Sequence, residues 1–278
     1  MELIEYLQSH HTEKTVKSYL REIEIYKTKV KDSEHAKYQD VLNYLNDYKK
    51  NNYRCLSAIK QYYIYLIQVG EIESHPCKNL KLNTARKEIQ LQNLFTSEEL
   101  ELLLERENRY QLLKYRNLVA ITFLIYQGLT PENLVRIDLK DIDFDKGTIY
   151  IKATSRLRRR TLELKAKQVN YLYKYIYEHR PKLVDSKQTK LIVNKLGEEL
   201  TEDALNRLLR PLKGLFLERN LNAKTIRQSV ISNWINEQGI PLEDVQLMCG
   251  HKWLSSTEKY YRNNIDEQKK LINKFFPF

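Results

Sequence analysis

The sequence predicts a mainly α-helical protein of two domains, the second carrying a small antiparallel β-sheet. Three observations predict it. Apolar residues recur at steps of three and four along most of the chain, the period of amphipathic helices. Seven glycines and six prolines among 278 residues leave room for few tight turns. An aperiodic segment, SHPCKNLKLNTARKEIQLQ at 74–92, separates two helical stretches and has the composition of a linker. A chain of this length holds two domains of ordinary size, each with its own core.

The elements follow in order. Val16, Tyr19, Leu20, Ile23 and Tyr26 predict a helix over 12–31 with Thr12 as its cap. Val41, Leu42 and Leu45 predict a second over 35–50. Leu56, Ile59, Tyr63, Leu66 and Ile67 predict a third over 53–69, stopped by Gly70. The boundary is placed at Ala85, giving domains 1–85 and 86–278. Thr96 and Glu99 have the spacing of a capping box and open a helix to about Glu107. Residues 115–128 form the most apolar helix. Thr130 and Pro131 then restart the chain as cap and first-turn proline of a short helix ending near Ile137. Alternation in 143–152 and 160–164, around Gly147 and the arginine-rich run 155–160, predicts the sheet. From Lys167 onward the pattern is helical almost throughout, with breaks at Gly197 and at Gly239-Ile240-Pro241.

Composition narrows the partners. Forty-seven Lys and Arg against 36 Asp and Glu give a net charge of +11, which favours a polyanion and salt-sensitive binding. Between Lys146 and Lys182 stand eleven Lys and Arg against only Glu163 and Glu178, so Arg156, Arg158, Arg159 and Arg160 suit a polyanion, and charge alone does not separate nucleic acid from an anionic membrane. The longest apolar stretch, 117–129, is interrupted by Thr122 and Gln127 and falls short of the roughly 20 residues a membrane span needs. No secretory signal is visible at the N-terminus, so a cytoplasmic, nucleoid-associated protein without a membrane partner is expected. Cys55, Cys77 and Cys249 are far apart, with no CxxC pair and no His at ligand spacing, so neither a disulfide framework nor a zinc site is indicated. Asp141, Asp143 and Asp145 alternate like a calcium loop, but Lys146 and Lys152 stand where Gly and Glu are required, which leaves a structural turn. No metal and no cofactor is expected.

Four segments carry the chemistry: YQGLTPENL, TSRLRRRTLEL, AKTIRQS and LMCGHKWLSSTEKYYRN. In this order they resemble the tyrosine recombinase (phage integrase) family, and the resemblance covers essentially the whole chain. HTEKTVKSYLREIEIY is similar to the first helix of that family's SAM-like core-binding domain, and RCLSAIKQYYIYLIQVGEIESHPCKNLKL to its third helix and exit into the linker. Gly250-His251, with Tyr260 nine residues after the histidine, carries the strongest local likeness. The resemblance implies a core-binding domain and a catalytic domain that clamp duplex DNA. It also implies a tyrosine hydroxyl that attacks the scissile phosphate, leaving a 3′-phosphotyrosine and a free 5′-hydroxyl without a metal. Such a site needs guanidiniums on the phosphate oxygens, a proton donor for the leaving oxygen and a positioned phenol.

Carried over position by position, the resemblance makes Tyr260 the nucleophile and Tyr261 a bystander. Arg227 is the second arginine, and His251 shares its phosphate. Lys224 fills the first position of the HxxR motif, where a lysine keeps the charge. Arg158, six residues before Leu164, takes the place of the family's hairpin lysine; a guanidinium there binds phosphate but donates a proton poorly. Lys252 joins Lys224, Arg227 and the arginine run as a DNA contact.

The larger departure is Thr130, in the place of the arginine of the GLR motif. Its side chain is short and uncharged, and losing an arginine clamp on phosphoryl transfer costs about 10³ to 10⁵ in rate by analogy with arginine fingers. Arg136, six residues on, is turned roughly 240° from that face. These departures favour a DNA-binding protein of this fold impaired in cutting and acting as a regulator, either a phage-type repressor or an architectural factor. The alternative is an active site-specific recombinase or integrase of a mobile element working through Tyr260. Residues 265–278, with Leu271, Ile272, Phe275, Phe276 and Phe278, are apolar enough to pack on their own domain or dock on a second protomer, so a homo-oligomer is carried as an expectation.

Overall fold

The computed structural model describes residues 2–48, 52–82, 89–105, 110–184 and 187–261. The chain divides into two compact units, Met1–Lys87 and Glu88–Phe278. The boundary position Ala85 and the apolar segment 265–278 lie outside the described residues.

The first unit is helical: α1 (Leu3–His10), α2 (Glu13–Lys29), α3 (Tyr38–Asp47) and α4 (Asn52–Gln68). Helix α1 was not expected from the sequence, because eight residues are too few for a clear period; it buries Tyr6 and Leu7. Thr12 holds the cap position of α2, but its hydroxyl bonds that of Thr15 at 3.0 Å rather than the helix backbone. At the end of α4, Gly70 takes φ +80° and the next amide, Glu71 N–H, donates back to the Leu66 carbonyl at 3.0 Å, the left-handed cap that glycine permits. The apolar stripes meet in a tyrosine-rich core. The Tyr63 hydroxyl donates to the Ser33 carbonyl at 2.7 Å and accepts from Tyr26 at 2.6 Å.

In the second unit, α5 (Ser97–Glu101) opens with the expected capping box, Thr96 accepting from the Glu99 amide at 3.2 Å. It tightens into a 3₁₀ turn at Leu102–Leu104, and the expected end at Glu107 lies outside the described residues. Helix α6 (Lys114–Tyr126) is buried continuously from Leu118 to Ile125 and forms the centre of the core, and α7 (Pro131–Val135) follows it. The sheet has the order β1 (Ile142–Asp143), β2 (Thr148–Ile151), β3 (Arg160–Glu163), all antiparallel, with Ile149 opposite Leu162 and Ile151 opposite Arg160. Lys152 pairs with Asp138 and with Asp141 (3.1 Å), so Asp141 of the aspartate run is held by a lysine.

Helix α8 (Ala166–Tyr173) widens into a π turn at Lys174–His179. The helical pattern expected from Lys167 stops sooner than Gly197: residues 189–200 pair as isolated bridges, Asp138 with Lys190 and Val193 with Glu199. Gly197 at φ +82° passes so close to the Leu183 carbonyl that a Cβ would stand 2.5 Å from that oxygen. Then come α9 (Glu202–Leu209), α10 (Ala223–Asn236), α11 (Leu242–Cys249) and α12 (Ser255–Glu258). Helix α10 is buried on almost every face, which puts Arg227 inside the unit. No helix among the described residues is long and apolar enough to cross a membrane.

Candidate functional site

The phase of α10 is set at its N-cap, where the Asn222 side chain accepts from the Thr225 amide at 3.0 Å. One turn further in, Arg227 is only 9% exposed. Its guanidinium donates to the Gly128 carbonyl (2.5 Å), the Cys249 carbonyl (3.0 Å) and His251 Nε2 (3.1 Å). It thereby ties the turn after α6 to the end of α11.

Helix α11 ends in Gly250 at φ +70°, and the His251 amide donates back to Gln246 at 3.0 Å, which turns the imidazole toward Arg227. Because a guanidinium only donates, His251 Nε2 accepts and Nδ1 carries the proton, given to the Thr257 hydroxyl at 2.9 Å. Burial, and then the charges of Arg227, Arg160 and Lys259, push the His251 pKa down to about 4, so the ring is neutral at neutral pH. Tyr260 follows α12 and is 9% exposed, against 54% for Tyr261. Burial raises the Tyr260 phenol, a rise opposed by the Arg227 charge and a hydrogen bond from Gln228.

The hairpin between β2 and β3 is strapped to the His251 segment. Arg158 N–H donates to the Gly250 carbonyl at 2.8 Å, Leu157 pairs with His251, and the Lys252 ammonium donates to the Ser155 carbonyl at 2.7 Å. The Arg158 guanidinium reaches the Lys252 carbonyl at 3.2 Å. Arg156, Arg158, Arg159 and Lys252 are exposed. Arg160, expected at the surface with them, is instead 8% exposed, since the pleat of β3 turns Arg160 and Leu162 inward and Thr161 and Glu163 outward.

The environment of Arg160 is unusual for a buried cation. Its Nη1 donates to the Arg158 carbonyl at 3.3 Å, its Nη2 to Asn133 Oδ1 at 3.4 Å, and its Nε has no partner. Neither it nor Arg227 has a carboxylate partner among the described residues. Burial and then the Arg227 charge hold the Arg160 pKa down to about 10; at 1.36 kcal/mol per unit, keeping it charged at pH 7 costs the fold about 3 kcal/mol. A Cβ on Gly250 would lie 2.7 Å from Arg160 Nη1, so glycine at 250 makes the space this side chain occupies.

Thr130 caps α7, its hydroxyl accepting from the Asn133 amide at 3.1 Å. Arg136 is exposed and pairs with Glu132 at 3.4 Å, away from the cluster. Thr130, Lys224 and Arg227 line one groove of about 610 Å³ together with Arg207, Arg210 and Lys213, and no acidic residue lines it among the described residues. A second depression, about 440 Å³, is lined by His251 and Tyr260 with Arg156, Lys252 and Lys259. The structure thus brings Arg227, His251 and Tyr260 together, with Lys224 on the rim. Thr257, Gln228, Asn133 and the groove cations Arg207, Arg210 and Lys213 were not singled out from the sequence. Only the spacing of Arg207 and Arg210, three residues apart at the end of α9, offered a signal. Chemically, the arrangement sets fixed donors and uncompensated positive charge beside a buried phenol, which suits an anion that accepts several hydrogen bonds.

Comparison with known proteins agrees in kind. Residues 93–267 match the family model described as "Phage integrase family". The chain is 30% identical over 231 residues to tyrosine recombinase XerC of Pelotomaculum thermopropionicum, covering 81% of this chain and 74% of that one. It is 25% identical over 292 residues to tyrosine recombinase XerD of Staphylococcus saprophyticus, covering 98% and 97%. Among solved structures, it shares its fold with the XerH site-specific recombinase bound to difH substrate (TM-score 0.71, 18% identity, 94% of this chain and 79% of that one). It shares it also with a lambda integrase dimer bound to a COC' core site (TM-score 0.69, 15% identity, 94% and 93%).

Proposed function

The chain belongs to the phage integrase family of tyrosine recombinases, and from that premise we propose that it binds duplex DNA and cuts one strand at a phosphate held by Arg227, whose guanidinium His251 positions. The Tyr260 oxygen forms a bond to phosphorus as the bond to the 5′-oxygen breaks. The phenol loses one proton and the leaving oxygen gains one, so a 3′-phosphotyrosine and a free 5′-hydroxyl result, and the phosphoester energy is kept for religation. The observation that carries this reading is the convergence of Arg227, His251 and Tyr260, from α10, the end of α11 and the end of α12, around one cationic site. The groove cations Arg207, Arg210, Lys213 and Lys224 and the exposed Arg156, Arg158, Arg159 and Lys252 supply the phosphate contacts on either side, so affinity falls steeply with salt. The solved relatives on DNA, one of them a dimer, support binding of more than one copy of the chain to the DNA.

A second reading keeps DNA binding and drops cutting: a repressor or architectural factor. It is favoured by Thr130, whose hydroxyl is used on its own helix and which brings no charge to the groove. A duplex nicked so that the short fragment bearing the free 5′-hydroxyl diffuses away after cleavage separates the two. The first reading expects a denaturant-stable protein–DNA adduct with the wild type, none with Tyr260→Phe, and equal mobility shifts for both. Wild type and Tyr260→Phe both binding with no adduct would select the second.

A further inference from the structure

Arg160 is a buried charge beside the site that the proposed reaction does not use. It is more than nine-tenths buried and carries an unpartnered Nε, and no carboxylate pairs with it among the described residues. Its two hydrogen bonds, at 3.3 and 3.4 Å to neutral oxygens, are longer than the usual 2.9 to 3.0 Å and are easily exchanged for better acceptors. The Asn133 amide nitrogen beside it is also buried without a partner. Arg227, equally uncompensated, is close enough for each charge to bear on His251, which pairs with Leu157 of the hairpin leading into β3 and is bonded to Arg227 of α10. Two buried guanidiniums of like charge repel one another, and no carboxylate among the described residues pairs with either to offset that. Gly250 is what lets the second one in.

We propose that Arg160 is the second guanidinium of this site and that, with Arg227, it grips the nonbridging oxygens of a phosphodiester, the Nε and the Asn133 amide nitrogen supplying donors as the ligand enters. The inference rests on reading the cluster as a backbone-phosphate site. It puts on strand β3 the cation that position 130 does not supply. An anion of this kind satisfies the orphaned donors and removes the repulsion between the two arginines at once.

The test uses the full chain and inorganic phosphate first, because that readout needs no cutting. Phosphate raises the melting temperature of the wild type and of Arg136→Gln, whose side chain is exposed and paired with Glu132 away from the cluster, while Arg160→Gln loses the increase. An equal increase in Arg160→Gln overturns the proposal. If Arg160→Gln does not fold, Arg160→Lys, which keeps charge but loses the planar fork, is read the same way: a smaller increase supports the proposal and an unchanged one overturns it. On the nicked duplex, Arg160→Gln lowers adduct formation by about 10³ or more with DNA affinity retained. If the wild type forms no adduct yet its response to phosphate depends on Arg160, the cutting reading fails and this one stands. If the wild type forms adduct and folded Arg160→Gln does so at a similar rate, this one fails and the cutting reading stands.

Discussion

Replacing Gly250 with alanine separates backbone strain from crowding, because Gly239 provides a matched control. Both residues are left-handed, at φ +70° and +66°, so alanine at either position costs about 1–2 kcal/mol for the conformation alone. Around Gly239 a Cβ meets nothing within 4 Å, and the cost stops there. At Gly250 the Cβ stands 2.7 Å from Arg160 Nη1 and 2.8 Å from the Arg158 carbonyl oxygen. That carbonyl belongs to the hairpin residue whose own amide is bonded to Gly250 at 2.8 Å, so relief means moving backbone, and overpacking of this kind adds about 1–3 kcal/mol. Urea denaturation is therefore expected to show Gly250→Ala destabilised by about 2–5 kcal/mol, and Gly239→Ala by only the strain they share. Gly250→Ala should also lose the Arg160-dependent response to phosphate. Equal destabilisation of the two variants would refute the claim that the hairpin, Arg160 and Gly250 are packed against one another.

Other expectations follow from single contacts. His251 binds a proton at about pH 4 when folded and at about 6.5 when unfolded, so the unfolded state takes the proton first and stability falls as pH drops through that interval. Urea midpoints at pH 7 and pH 5 should therefore differ less in His251→Gln than in the wild type, and an unchanged difference would place the pKa elsewhere. Tyr63→Phe strands both the Ser33 carbonyl and the Tyr26 hydroxyl, and should cost the first unit about 1–3 kcal/mol by thermal or urea unfolding. Thr130→Arg should raise the rate of adduct formation less than about tenfold if Arg160 already serves the phosphate; a gain of 10³ or more would mean that the site lacks its second cation.

Helices α2 to α4 of the first unit, the capping box at Thr96 and the sheet around Gly147 were legible in the sequence because each is encoded locally, by a period of three to four or two and by a cap or a turn residue. Helix α1 and the irregular segment at 189–200 were not, since one is too short to show a period and the other is held by bridges to distant residues such as Asp138. The trio Arg227, His251 and Tyr260 was legible as an ordered pattern. The orientation of Arg160 was not: within the run Arg156 to Arg160 all four arginines look alike, and only the register of β3 against β2 decides which one turns inward. Thr257, Gln228 and Asn133 join the site by tertiary contact, and nothing in their spacing announces it.

The most direct measurement is to digest the adduct on a nicked duplex with nuclease and trypsin and locate the phosphate by mass spectrometry. Trypsin releases Tyr260-Tyr261-Arg262, so the two tyrosines are read in one short peptide. The account predicts a phosphotyrosine at Tyr260, the buried phenol beside Arg227 and Gln228, and an unmodified Tyr261. Phosphate on Tyr261, or no phosphopeptide under conditions where the protein is bound to DNA, would contradict it.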